Sequence, residues 1–453
     1  MQRAAVLADA TPDTRDRYVD LLRVLSLAVV VGGHWLMISI LPGQRVGNLL
    51  AIVPATQAAT WLLQVMPLFF LVGGFSHATA WRSVRRRGGG YADFARSRAD
   101  RLLRPTAVFA GVWLAAAAWL ELAGHDEGLV RTAARTVAQP LWFLGVYLGL
   151  VALAPALWRL HERLGRRAWA VPAALGAAAL AVDVLRFAGG YGAAAYLNVA
   201  FVWVAVHQLG FFWGSAGLRR AAGPLALGGL AAVAALTVLG PYPVSMVGVP
   251  GAPVSNMSPP TFALYCHALW LVGVAVLAGP AARRLLARRR VWRAVVAANG
   301  AAMTAFLWHL SALVLLLTVV LALHADLPAP GTGAWWLSRP LWLGALALIT
   351  AGLVALFGGA DRPRVRPLRG GGTAVAAAGM ALCTAGVLGL SAVGFAGVLA
   401  GRTATLVVVP VTAAGSVAVL AVGWALLAVR PGWRGWRRHH SGDRRACRPT
   451  GRG

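Results

Sequence analysis

The chain reads as a succession of long apolar runs separated by short polar segments. Twelve runs stand out, near 19–38, 57–80, 103–123, 139–158, 168–185, 194–214, 223–240, 260–279, 297–323, 335–357, 372–398 and 404–429. At a rise of 1.5 Å per residue, roughly twenty such residues cross the hydrocarbon of a bilayer as a helix. Backbone in lipid must satisfy its own hydrogen bonds, so runs this long and unbroken predict helices and not barrel strands. The expected fold is all-α, a polytopic transmembrane helical bundle of about twelve helices. No internal repeat is visible, and connections are short.

Polar side chains inside these runs change the picture most. Arg23 and His34 both fall in the first run. Eleven positions at 100° each make three turns plus about 20°, so the two side chains leave one helix face, about 16 Å apart along the axis. They are too far apart to touch each other, but one long ligand could reach both. Ionisable groups at this depth are costly and usually serve chemistry, a pathway or an ion pair. Asp20 lies three residues before Arg23 and can pair with it. Arg23 therefore reads either as one half of an ion pair or as a ligand contact.

The second run carries Pro67-Leu68-Phe69-Phe70-Leu71 and then Gly73-Gly74, which permit a kink and close helix approach. His77 follows near the end of that run, where solvation at the interface is expected. Arg101 and Arg104 share a face at the start of the third run, and Arg forks suit phosphate groups. Trp142-Phe143 opens the fourth run as an interfacial aromatic belt. His309 is a second deep imidazole. Asn198, His207, Gln208 and His267 add polar atoms that line a cavity or join helices.

Composition agrees with a membrane chain: of 453 residues, 59% are hydrophobic and 12% charged, against about 25% charged in soluble domains. The net charge of +28 raises nucleic acid as a partner, but its distribution argues against it. Every basic residue is Arg. With the N-terminus in the cytoplasm, only Arg45, Arg131, Arg135, Arg186, Arg339 and Arg402 fall outside. That is the positive-inside pattern, with both termini cytoplasmic and anionic lipids as contacts. No stacking platform accompanies the basic blocks, so no nucleic acid is expected. The segment 82–104 is expected to be a long basic loop with a flexible break at Gly88-Gly89-Gly90, and 241–260 a plain Pro/Gly-rich connection, with an acceptor-facing lid as the alternative. Cys266, Cys383 and Cys447 form no metal-ligand spacing, so neither a metal site nor a disulfide framework is expected.

Five pieces in order resemble acyltransferase family 3, a family of integral-membrane acyltransferases. They are Asp20-x-x-Arg23 with His34, Pro67–Leu71, Arg101-Leu102-Leu103-Arg104-Pro105, Trp142–Leu144 and Leu307-Trp308-His309. The resemblance covers about residues 17–358. It departs at Gly73-Gly74, where the family often has Ser-Gly. It departs again in the last two runs, which exceed the usual ten-helix core. The chain then divides into a cytoplasmic segment 1–18, a membrane acyltransferase core 19–358, an accessory C-terminal helical hairpin 359–429 and a basic cytoplasmic tail 430–453.

The resemblance implies O-acyl transfer, typically acetyl, from acyl-CoA to a hydroxyl of a carbohydrate or small natural product. Acyl-CoA is a donor substrate; no bound cofactor is expected. Arg101, Arg104 and Arg23, with Asp20 beside it, would hold the phosphates at the cytoplasmic side of a bacterial cell membrane. His34 would act as general base or take the acyl group transiently, with His309 orienting it or stabilising charge. A multipass transporter or flippase of a glycan or lipid intermediate is the rival reading on topology alone.

Overall fold

The computed structural model describes residues 2–12, 14–41, 45–125, 127–361, 371–399 and 401–428. The tail from 430, with Cys447, lies outside the described residues, as does 362–370. The chain opens with α1 (Gln2–Asp9) and α2 (Arg17–Met37), then a two-stranded hairpin, β1 (Ile38–Leu41) and β2 (Arg45–Asn48). Next come the short helices α3 (Leu49–Ile52) and α4 (Thr60–Leu63), and the long α5 (Met66–Arg86) and α6 (Tyr91–Leu122). These lead to α7 (Glu127–Ala138), α8 (Pro140–Leu164), α9 (Ala170–Phe187), α10 (Leu197–Leu209) and α11 (Ala216–Leu239). The second half holds α12 (Phe262–Leu286), α13 (Arg289–Ala322), α14 (Gly333–Phe357) and α15 (Thr373–Val393). A second hairpin, β3 (Thr403–Leu406) and β4 (Val409–Thr412), leads into α16 (Ala413–Ala428).

Among the described residues, ten helical stretches are long and apolar enough to cross a membrane. One of them, Gly128–Phe187, contains both α8 and α9, and the 16-residue α16 is shorter. Each of the twelve expected runs thus contains a helix, although the last opens with the β3–β4 hairpin and is helical only from Ala413, and the protein is a multi-pass membrane bundle. The end that carries Arg17, Arg86, Tyr91, Arg163 and Arg289 is called the basic end here.

Two expectations about connections fail. The segment 82–104 is almost entirely helical: α5 runs to Arg86, α6 starts at Tyr91, and only 87–90 join them. Asp93 closes the start of α6 by accepting from the Gly90 N–H at 3.1 Å. Arg has high helix propensity and needs no apolar face where the helix leaves the lipid, so the apolar run marks the membrane portion and not the helix. The segment 241–260 is no plain connection either. Asn256 Nδ2 donates to the carbonyls of Pro243 and Ser245 at 2.7 and 3.0 Å, and Asn256 Oδ1 accepts from Thr261 Oγ1 at 2.8 Å. Trp61 Nε1 and Thr60 Oγ1 of α4 then bind this segment at Val244 O and Met246 N.

The bundle closes around α5, which packs on α2, α8, α10 and α12, while α13 packs on α2 and α14. The α5–α10 crossing is the tightest. A Cβ on Gly74 would overlap the His207 carbonyl, and one on Gly210 the Leu71 carbonyl, so backbone meets backbone there. The hairpin α15–α16 lies against α8 and α6, burying Met380, Cys383, Val387 and Leu390. At the N-terminus, α1 is held to α13 because Asp9 accepts from Arg289 and Arg293. These guanidinium groups push the Asp9 carboxyl down to about 2.

Candidate active site

His34 sits near the end of α2 opposite Arg17, and His309 in the middle of α13. The fold brings them together: His34 Nδ1 lies 2.9 Å from His309 Nε2, and His309 Nδ1 lies 2.6 Å from the Phe306 carbonyl oxygen. A carbonyl only accepts. His309 Nδ1 therefore carries the proton, its Nε2 accepts, and His34 Nδ1 donates. The neutral pair leaves a lone pair on His34 Nε2, which has no protein partner among the described residues. His309 is fully buried and His34 half-buried, so the free nitrogen belongs to the more accessible ring. Chemically this is a base or nucleophile whose tautomer is fixed by a second residue and a main-chain group.

Around the pair the walls are apolar and aromatic. Phe143 packs edge-on against Phe306, with centroids 5.3 Å apart, and against Phe69 and Phe70. Phe143 is buried and Trp142 packs against Trp203, so these aromatics line the interior and form no interfacial belt. The motif Pro67–Leu71 delivers Phe69 and Phe70 to this layer because α5 is locked on α10 by the glycine crossing.

A second polar level lies three helical turns nearer the basic end. Arg23 donates to Ser76 Oγ at 2.8 Å and pairs with Asp20 at 3.2 Å. Asp20 is buried and also receives Arg15 through two bonds, at 2.6 and 3.0 Å, so it anchors two arginines. Arg101 is within electrostatic range of Arg23, Arg15, Tyr147 and Asp361, and Arg98 of Arg101, Arg23 and Tyr147. Arg101 is nevertheless exposed, so it borders accessible space between α2, α6 and α8. Neither Arg98 nor Arg101 has a hydrogen-bond or ion-pair partner among the described residues.

Arg104 is not part of this level. It lines a separate groove of ≈ 440 Å³ with Val108, Phe357 and Trp424. The residue that joins Arg101 is Arg98, one turn earlier on α6. The sequence pointed to 101 and 104 because the third run starts at 103; with the helix starting at Tyr91, 98 and 101 are the equally spaced pair that faces α2.

Other polar residues found partners that sequence could not supply. His77 is buried, not interfacial, with Nδ1 3.0 Å from His207 Nε2. The reason is the close α5–α10 approach, which draws both rings out of solvent. Asn198 joins helices: it donates to Asp183 Oδ1 at 2.9 Å, and Asp183 also accepts from Tyr242 Oη and Phe262 N–H. His267 meets the Trp61 carbonyl at 2.8 Å. Tyr147 was invisible as a candidate because it lies in an apolar run. Its ring packs on Phe69, Phe143 and His77, and a Cβ on Gly73 would come within 2.8 Å of it. Gly73 leaves the room that this phenol occupies.

No curated protein matches the chain, and no solved structure does. Residues 16–358 match the model of acyltransferase family 3, described as an acyltransferase domain. That match spans well over half of the chain, the His34–His309 pair and Arg23, Arg98 and Arg101 of the second level, and so the protein belongs to this family and is a membrane acyltransferase.

Proposed function

We propose that the enzyme moves an acyl group, acetyl in the simplest case, from acyl-CoA to a hydroxyl of a carbohydrate or small natural product. The observation that carries this reading is the Phe306–His309–His34 relay, which presents an unprotonated His34 Nε2 beside an aromatic layer. Acyl-CoA enters from the basic end, taken as the cytoplasmic side of a bacterial cell membrane by the excess of Arg there. Its phosphates meet the level of Arg23 and Arg101. The pantetheine arm extends about 16 Å, three helical turns, to bring the thioester to His34. Asp20 holds Arg23 in position.

As general base, His34 Nε2 takes the acceptor hydroxyl proton while that oxygen attacks the thioester carbon. The C–S bond then breaks, and the same proton passes to the departing thiolate. As acyl carrier, Nε2 attacks first, the thiolate leaves, and His309 Nε2 accepts the Nδ1 proton so that the acyl-imidazole is neutral. The acceptor hydroxyl then displaces His34, its proton passing to the CoA thiolate, and His309 returns the Nδ1 proton to His34. Single-turnover mixing with labelled acetyl-CoA separates the routes, since only the second labels the protein. The test of the function is release of CoA by purified protein with an acceptor present. Loss of release in His34→Ala, with expression and membrane insertion unchanged, supports the reading, and retained release overturns it. Solute transport by a protein that never releases CoA would favour the transporter instead.

A further inference from the structure

The second level contains a group the reaction above does not use, the His77–His207 pair. His207 Nδ1 is buried with no partner among the described residues. An orphaned buried N–H is rarer than an orphaned acceptor, so His207 carries its proton on Nε2 and donates it to His77 Nδ1. His77 then bears its proton on Nε2. That N–H has no protein partner among the described residues. It belongs to a ring 4.9 Å from Tyr147 and within electrostatic range of Arg98 and Arg23.

The uncommitted groups here share one property. Arg98, whose buried Nε is unpaired, Arg101 and the His77 Nε2–H only donate hydrogen bonds, and the Tyr147 hydroxyl can donate as well. A site that only donates selects a ligand that only accepts. The charges point the same way. Arg23, Arg98 and Arg101, with Arg15 and Arg87 nearby, outnumber the carboxylates of Asp20 and Asp361. Excess positive charge beside several hydrogen-bond donors favours an anion with several acceptor oxygens, as a phosphate has.

We infer that His77, held in its tautomer by His207, forms a phosphate site with Arg98, Arg101 and the Tyr147 hydroxyl. The phosphate bound there is one of the acyl donor's own. This rests on acyl-CoA being the donor. His77 contributes the neutral hydrogen bond, and its place on α5 fixes how far the phosphate stands from His34.

The test measures Kd values of purified protein for acetyl-CoA, 3′-dephospho-acetyl-CoA, acetyl-pantetheine and inorganic pyrophosphate. It compares wild type, His77→Gln and His77→Leu. A hydrogen bond to a charged group is worth enough that His77→Leu should weaken acetyl-CoA binding about tenfold or more. His77→Gln, whose amide N–H can replace Nε2–H, should recover most of the loss. Neither should change acetyl-pantetheine binding, which also shows that the variants are folded. Equal binding of the dephospho compound assigns the site to the pyrophosphate, and its loss assigns the site to the phosphomonoester. Equal losses for acetyl-CoA and acetyl-pantetheine, or no difference between the Gln and Leu variants, overturn the proposal. Pyrophosphate binding through His77 without acetyl-CoA binding would keep the anion site and remove the donor reading. Acetyl-CoA binding indifferent to His77 would do the reverse.

Discussion

Trp35 Nε1 donates to the His309 carbonyl oxygen at 3.0 Å, which ties α2 to α13 at the residue that orients His34. Trp342 Nε1 in turn donates to the Trp35 carbonyl at 3.1 Å, so α14 joins the same chain of contacts. Trp35→Phe keeps an aromatic ring and removes one hydrogen bond. It should cost about 1 kcal/mol of stability. Because small misplacements of reacting groups are expensive, kcat should fall roughly tenfold to a hundredfold with the donor KM nearly unchanged. Steady-state kinetics on the purified variant check this split.

His309→Ala removes the acceptor of the His34 Nδ1 proton. Proton transfer by a positioned base contributes about 10²–10⁴-fold, so kcat should drop within that range. His309→Gln can offer a carbonyl oxygen to His34 and should restore part of the rate. Equal activity of the two variants would contradict the relay.

Arg101 and Arg104 are three residues apart yet face different spaces. Arg101→Ala should raise the KM for acyl-CoA about tenfold or more, as expected for loss of a charged hydrogen bond. Arg104→Ala should leave that KM within about twofold on the same scale. Kinetics with varied acyl-CoA decide between separate and shared roles.

Gly74→Ala should destabilise the bundle by about 1–3 kcal/mol, the usual cost of overpacking. Its Cβ would overlap the His207 carbonyl and push α10 from α5. A lower Tm in detergent is the readout, and an unchanged Tm would mean that the crossing gives way freely.

The clamp of α1 on α13 has a defined pH dependence. The Asp9 carboxyl is pushed down to about 2 from an ordinary value of 3.8 by Arg289 and Arg293. A depressed carboxyl pKa contributes stability that is complete above the unfolded value and is lost as pH falls from 3.8 through about 2. Asp9→Asn should free α1 at neutral pH, seen as faster proteolysis near Ala10, and should be insensitive to acid in that window.

The helices were legible because lipid demands long apolar runs, and a run needs no partner to be recognised. Helix ends were less so: the first three turns of α6 carry Arg and Asp and look like loop, which hid Arg98 and drew attention to Arg104 instead. His34 and His309 were each visible as oddities at depth. Their hydrogen bond joins positions 275 residues apart, and no local pattern encodes that separation. The same holds for His77 with His207, which are brought together by how α5 and α10 pack. Tyr147 carried no signal, since an apolar run with a tyrosine looks like packing.

The hairpin α15–α16 covers one side of α8, the helix whose other side supplies Phe143 and Tyr147 to the interior. In synthesis, α8 leaves the ribosome more than two hundred residues before α15. Its hairpin-facing surface, which includes Gly145 and Gly149 opposite Leu388 and Thr384, must therefore wait in lipid while the six helices α9 to α14 are inserted. The helix that walls the His34–His309 site is thus supported by elements made long after it, and assembly of the bundle is timed by the hairpin's arrival.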